Sequence, residues 1–168
     1  MPTLTLTGNS RLTFSVADSQ LIGSVTGDVE VRATQTVSDG TGSGEANVAW
    51  ATKVTLPAGQ AYSLDLTNLS ASAFGYVGKI NVATLKDVIV VNNETTANRY
   101  VLYGVISAQD TTGYAARINR GGSYRWTDYQ DGIVVNAGNK TLYIANPSGG
   151  SVTFDIALAG VGTFSDNA

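Results

Sequence analysis

The sequence predicts an all-β fold: a single-domain antiparallel β-sandwich of jelly-roll type with about eight or more strands. Three observations lead there. Apolar and polar residues alternate with a period of two along most of the chain, and clusters of Gly, Asn, Asp and Pro interrupt the alternation at short intervals. No segment of ten residues or more carries a helical period. Many short strands divided by regular turns indicate a sandwich or barrel.

Taken in order, Pro2–Thr7 reads as a short alternating strand, and residues 1–7 as an N-terminal arm or edge strand of a domain spanning 1–168. Thr7-Gly8-Asn9, Thr26-Gly27-Asp28 and Ser38-Asp39-Gly40 read as turns. Between the last two, Val29, Val31 and Ala33 alternate with Glu30, Arg32 and Thr34. Asp39–Glu45 reads as a mobile hairpin tip. Val48, Trp50, Val54 and Leu56 share one parity, with Asn47, Ala49, Lys53 and Thr55 on the other. Tyr62, Leu64 and Leu66 continue the pattern after a turn at Pro57-Ala58-Gly59. Ser70–Gly78, rich in small residues around Phe74 and Tyr76, reads as a connection carrying the chain between sheets, and Asn81–Lys86 as one short helical turn. Tyr100–Ile106 is apolar on both faces, which suits a central strand or a subunit interface. Val152, Phe154, Ile156 and Leu158 form the last alternating run.

The strand–Gly turn–aromatic strand of 54–62 is echoed at 117–124. Two similar halves suit a sandwich assembled from two Greek keys.

Composition narrows the function. The chain has 168 residues, of which 43% are apolar and only 14% charged. That is enough apolar material for a core, and the weakly charged surface suits a protein packed against neighbours. A net charge of −3 with no basic stripe removes nucleic acid as an expected partner. There is no cysteine and no histidine. No thiol nucleophile, Cys/His zinc site or histidine base is therefore available. No apolar run approaches the ~20 residues of a membrane span, and Met1–Leu6 lacks the character of a secretory leader.

The remaining motifs have ordinary explanations. The Gly-rich 39–45 loop has no phosphate-loop lysine and opens no helix. Asp128 and Asp131, beside Trp126 and Tyr129, resemble the acid pair of a glycosidase, but Asp131-Gly132 is an ordinary turn that Asp128 can cap. Asp128, Asp131 and Asn136 offer calcium oxygens without a ligand loop. Serine and threonine lack an activating base. The sequons at Asn68, Asn93 and Asn139 read as turn residues. No catalytic residue, cofactor or metal is expected.

Arg117–Tyr129 stands apart. Arg117, Arg120 and Arg125 fall with Tyr124, Trp126 and Tyr129 within thirteen residues. Arginine and aromatics are enriched at interface hot spots. The parity turns Tyr124 and Trp126 toward a core and leaves the arginines outward, so Arg117, Arg120, Arg125 and Tyr129 are the candidate partner-binding residues. Trp126, Tyr129 or Tyr76 would supply a stacking platform if the partner were a glycan.

Gly121-Gly122-Ser123-Tyr124-Arg125-Trp126, Gly132-Ile133-Val134-Val135, Asn139–Asn146 and Val152–Leu158, closing on Gly160-Val161-Gly162-Thr163, form a sequence of strand chemistries. Over residues 86–163 it is similar to the closing strands of β-sandwich virion proteins of tailed bacteriophages. That resemblance implies a capsid decoration or cement protein, a head fibre or a tail component, commonly a trimer or larger ring. The expectation is a non-enzymatic structural protein of a phage particle, made in the host cytoplasm and carried on the virion. Its expected partners are the major capsid protein or other virion proteins. A carbohydrate-binding or adhesion module, a tail or fibre component, and a hydrolase using Asp128 and Asp131 are the alternatives.

Overall fold

A computed structural model of the chain describes residues 6–16, 27–73, 76–104 and 114–166. It divides into two compact units, Met1–Asp39 and Gly40–Ala168.

In the first unit, strands β1 (Leu6–Val16) and β2 (Gly27–Asp39) form a long antiparallel ribbon. The register sets Leu6 opposite Val37, Leu12 opposite Val31 and Phe14 opposite Val29. The rungs between them set Arg11 opposite Arg32 and Thr13 opposite Glu30. The turn expected at Thr7–Asn9 is absent: those residues lie inside β1, paired with Thr36, Gln35 and Thr34. Residues 2–5 of the expected arm lie outside the described residues.

The second unit is an all-β sandwich. After the two-residue β3 (Glu45–Ala46), its strands are β4 (Val48–Leu56), β5 (Ala61–Asp65), β6 (Leu69–Ala73), β7 (Tyr76–Asn92), β8 (Tyr100–Gly104), β9 (Tyr114–Asn119), β10 (Ser123–Thr127), β11 (Ile133–Val134), β12 (Thr141–Ala145) and β13 (Val152–Asp166). The large sheet runs β10-β7-β13-β4, with β11 and β6 also paired to β7. The small sheet runs β5-β12-β8-β9. All these pairs are antiparallel.

The inward faces meet in one core. Val88, Val90, Val152, Phe154, Ile156 and Leu158 come from the large sheet, and Leu64, Val101, Tyr103, Ile118, Leu142 and Ile144 from the small one. The alternation read in β4, β5 and β13 is the alternation of burial: Val48 and Leu56 are buried while Ala49, Lys53 and Thr55 are exposed.

The two sheets repeat one plan. Exchanging β4, β5, β7 and β8 for β9, β10, β12 and β13, respectively, converts one sheet order into the other. The two segments that echo in the sequence are the equivalent crossings: β4 to β5 passes from large sheet to small, and β9 to β10 from small to large. Each turns at a left-handed glycine, Gly59 (φ 71°) and Gly121 (φ 67°), a conformation that costs an L side chain about 1–2 kcal/mol.

Three expectations need correction. Asn81–Lys86 is no helical turn but the middle of β7. Ala83, Leu85 and Lys86 are good helix formers, yet Ile80 and Val82 are buried while Asn81 and Ala83 are exposed, and the two-residue period wins. Ser70–Gly78 does not carry the chain between sheets: its described residues belong to β6 and β7, which pair side by side in the large sheet. The crossing comes earlier, between β5 and β6, where buried Leu66 and Leu69 face the core. Tyr100–Gly104 is central in the small sheet, between β12 and β9, but only one face is buried: Val101 and Tyr103 point inward and Tyr100 and Leu102 stay half-exposed. Ile106 lies outside the described residues.

Candidate functional site

The three arginines of the arginine-aromatic segment lie in three different places. Arg125 projects from β10 on the outer side of the large sheet. Its Nε and Nη2 donate to the two carboxylate oxygens of Asp87 at 3.0 and 2.6 Å. Nη2 also reaches the Tyr129 hydroxyl at 2.7 Å, and that hydroxyl donates to Asp87 at 2.6 Å. The Arg125 and Asp87 side chains are only 25% and 15% exposed, so the pair is substantially removed from water. The Asp87 carboxylate holds the Arg125 pKa above its ordinary value. Burial, and then the hydrogen bond to Asp87, raises that of Tyr129. Arg125 and Tyr129 are thus brought together, and engaged with each other and with Asp87.

The Tyr129 backbone anchors the neighbouring loops. Its carbonyl accepts from Gly44 N at 2.8 Å and from Lys86 Nζ at 3.2 Å. The same Lys86 ammonium, buried where β7 bulges, donates to Gln130 O at 2.7 Å. Ser43 Oγ donates to Gln130 Oε1. Within the loop expected to be a mobile tip, Gly42 N donates to Glu45 Oε2 at 2.7 Å.

Asp128 caps its own loop, accepting from Gln130 N and Asp131 N through one oxygen, Oδ1. Asn136 closes the next loop by accepting from Gly138 N. Among the described residues, no group of three or more His, Cys, Asp and Glu side chains is placed to hold a metal ion.

Arg120 lies in the exposed β9–β10 turn and donates to Thr95 O at 2.7 Å. Arg117 is on the opposite side of the sandwich from Arg125. Its guanidinium carbon sits 3.7 Å from the centre of the Tyr100 ring, and its Nε donates to Asn119 at 3.0 Å. The pairing places Ala61, Ala145, Leu102 and Arg117 in one row across the small sheet, beside a second row of Ser63, Tyr143 and Gly104. This outer face presents Tyr143, Tyr100, Leu102 and Arg117, with the Lys140–Asp65 ion pair toward its β5 edge. The outer face of the large sheet carries the Lys53–Asp155 and Arg125–Asp87 ion pairs.

Tyr124 and Trp126 turn toward the core, as their parity predicted, and Tyr124 stacks at 4.9 Å on Tyr103. Tyr129 is buried. Of the three stacking candidates, only Tyr76 has a side chain outside the described residues. A shallow groove of about 230 Å³ elsewhere is lined by Trp50, Ser70, Ile80 and Phe164, among others. Trp50 Nε1 donates there to Ser70 O at 2.8 Å.

Sequence reasoning passed over Asp87, Lys86 and the outward-facing Tyr143. Asp87 lies 38 residues before its arginine, so no local spacing links them. Tyr143 could have been found: it shares a parity with Thr141 and Ala145, opposite the apolar Leu142 and Ile144.

No family model, curated protein or solved structure matches the chain.

Proposed function

We propose that this chain is a non-enzymatic structural protein of a phage particle, decorating or cementing the capsid through subunit interfaces. The observation that carries the reading is the outer face of the small sheet. Tyr143 on the central strand β12, and Tyr100 on β8 with Arg117 of the edge strand β9 stacked on it, are of the tyrosine and arginine types enriched at protein–protein hot spots. The eight-strand order β4-β13-β7-β10 against β5-β12-β8-β9 supports a jelly roll of two Greek keys, an architecture of capsid proteins and lectins. The expected partners are the major capsid protein or other virion proteins, with the chain itself a trimer. The site of action is the virion, and a tail or fibre position is the near variant.

Density-gradient purification of particles from the source lysate, followed by quantitative mass spectrometry, tests this. A fixed stoichiometric ratio to a capsid protein is expected. Recovery only in the soluble fraction would overturn the proposal.

The groove beside Trp50 favours one second reading, a glycan-binding module. In that case Trp50→Ala abolishes binding in a glycan array with the fold intact.

A further inference from the structure

We infer that the free edge of β4 pairs with the same edge of a second copy, antiparallel and about a two-fold axis at Thr52. The inference goes beyond the assembly role proposed above. A self-complementary contact joins chains in twos, so this one links a ring to its neighbour rather than closing a ring.

Among the described residues β4 ends the large sheet and pairs only with β13. The phase of that ladder fixes what its other side offers. Thr153 addresses the β7 side: its carbonyl accepts from Asn93 N at 3.0 Å and its N–H donates to Glu94 Oε1 at 2.7 Å. Gly160 addresses β4, its carbonyl accepting from Asn47 N at 3.0 Å. Direction alternates along an antiparallel strand, so Phe154, Ile156 and Leu158 also address β4, where Val54, Thr52 and Trp50 stand opposite them. The N–H and C=O groups of Ala49, Ala51, Lys53 and Thr55 therefore point away from the sheet. All four residues are exposed.

Proteins blunt the edges they leave unpaired with short strands, proline, bulges or charge. The other sandwich edges fit that rule: β5 and β10 have five residues and β9 has six. Strand β4 has nine, with no proline and an unbroken register. Its one charged side chain, Lys53, lies 3.8 Å from Asp155 of β13, back over the sheet.

Complementarity names the occupant. Antiparallel pairing sets residues of the same face opposite each other. About Thr52, the inward Val48 and Trp50 meet the partner's Leu56 and the partner's Val54. The outward Ala49 and Ala51 meet the partner's Thr55 and the partner's Lys53. The edge-facing residues all fall in hydrogen-bonded pairs, giving about eight backbone bonds against the ~10 direct bonds of a typical interface. No charge stands directly opposite a like charge, and the half-buried Trp50 and Val54 cover each other. A one-residue slip would set inward residues against outward ones.

The chain contains no cysteine, so one introduced thiol can join only two copies. Thr52→Cys places two thiols across the axis at a Cα separation of about 4.5 Å, within the span of a disulfide. Thr55→Cys is the comparison, because its two copies stand roughly 20 Å apart in the same pairing. Both are oxidised with glutathione disulfide and run on a denaturing gel. Thr52→Cys is expected to form the two-chain band roughly tenfold faster or more, since pairing raises the effective thiol concentration. That order reverses exposure, for Thr55 is exposed and Thr52 half-buried. Adding Ala51→Pro to Thr52→Cys removes an edge-facing N–H that the sheet itself does not use. It is expected to abolish the band while circular dichroism stays native. Equal rates for the two thiols overturn the inference, and a strand of the same chain or of another protein on that edge gives this result. A band that survives Ala51→Pro in a folded chain overturns it as well. The rate comparison decides without that variant should it fail to fold. Co-purification with particles reads the assembly role separately, so equal rates leave that role standing.

Discussion

Asn92 and Asn146 are equivalent residues that latch the two corners of the sandwich. Asn146 Nδ2 donates to Leu56 O at 2.8 Å, Pro57 O at 3.0 Å and Gly150 O at 2.9 Å, while its Oδ1 accepts from Ser148. Asn92 Nδ2 donates to Ile118 O at 3.0 Å and its Oδ1 accepts from Glu94 N. Their backbones do the same: Asn146 pairs with Gly59 and Gln60, and Asn92 with Gly121 and Gly122. Both are fully buried. One amide thus ties each of these two crossings, β4 to β5 and β9 to β10, to the end of a neighbouring strand.

Replacing either latch strands buried carbonyls, each costing about 1–3 kcal/mol. Asn146→Ala is expected to lose roughly 2–4 kcal/mol, and Asn92→Ala somewhat less because it has fewer partners. Urea unfolding followed by tryptophan fluorescence measures both. A loss below half a kcal/mol at Asn146 contradicts the latch.

Arg125 and Asp87 stabilise the fold rather than await a partner. Arg125→Met leaves a partly buried carboxylate uncompensated and is expected to cost about 1–3 kcal/mol. Arg125→Lys falls between, because a lysine cannot span both oxygens. Equal stability of the Met variant and wild type, in the same urea assay, excludes this role.

Gly160 and Gly59 differ in kind. A β-carbon on Gly160 would collide with the Thr84 carbonyl oxygen, whereas one on Gly59 meets nothing within 4 Å. Gly59→Ala is expected to lose about 1–2 kcal/mol from its left-handed backbone alone. Gly160→Ala forces strands β13 and β7 apart at the bulge and should lose more. The order of the two melting temperatures decides the matter.

Stability should be flat across neutral pH and fall at both ends. With no histidine, no side chain of ordinary pKa titrates in the middle range. On the alkaline side, burial raises the phenol pKa of Tyr103, with Tyr124 adding to it, and burial also raises that of Tyr62. A raised folded pKa means that its stabilisation is complete below the unfolded value, ~10 for tyrosine, and is lost as pH climbs through the folded values. On the acid side, the Thr67 hydroxyl is the main cause lowering the Asp65 pKa, with smaller help from Thr67 N–H and Lys140. That contribution is present above about pH 4 and lost as pH falls through the lowered value. Urea midpoints against pH should show this plateau, and Tyr103→Phe should flatten the alkaline limb. A step near pH 6.5 would be inconsistent with it.

The sandwich was legible where one local rule governs. Val152–Leu158 alternates cleanly because β13 is central in the large sheet and has one covered face. The repeat of 54–62 at 117–124 was visible because both crossings need a glycine at the same point. Ser70–Gly78 misled because small residues suit a connection as well as a strand. Arg125 was legible as unusual but not as engaged, since Asp87 meets it only through the pairing of β10 with β7. Arg117 was nominated correctly as outward-facing, yet the face it shares with Tyr100, Leu102 and Tyr143 is assembled from β8, β9 and β12 and appears only when the sheet is built.

The mass of the full chain by light scattering, across a dilution series, tests the assembly role most directly. The account predicts a trimer or larger ring that dissociates on dilution into folded single chains. A single chain at every concentration, in a protein that also fails to co-purify with particles, would contradict it.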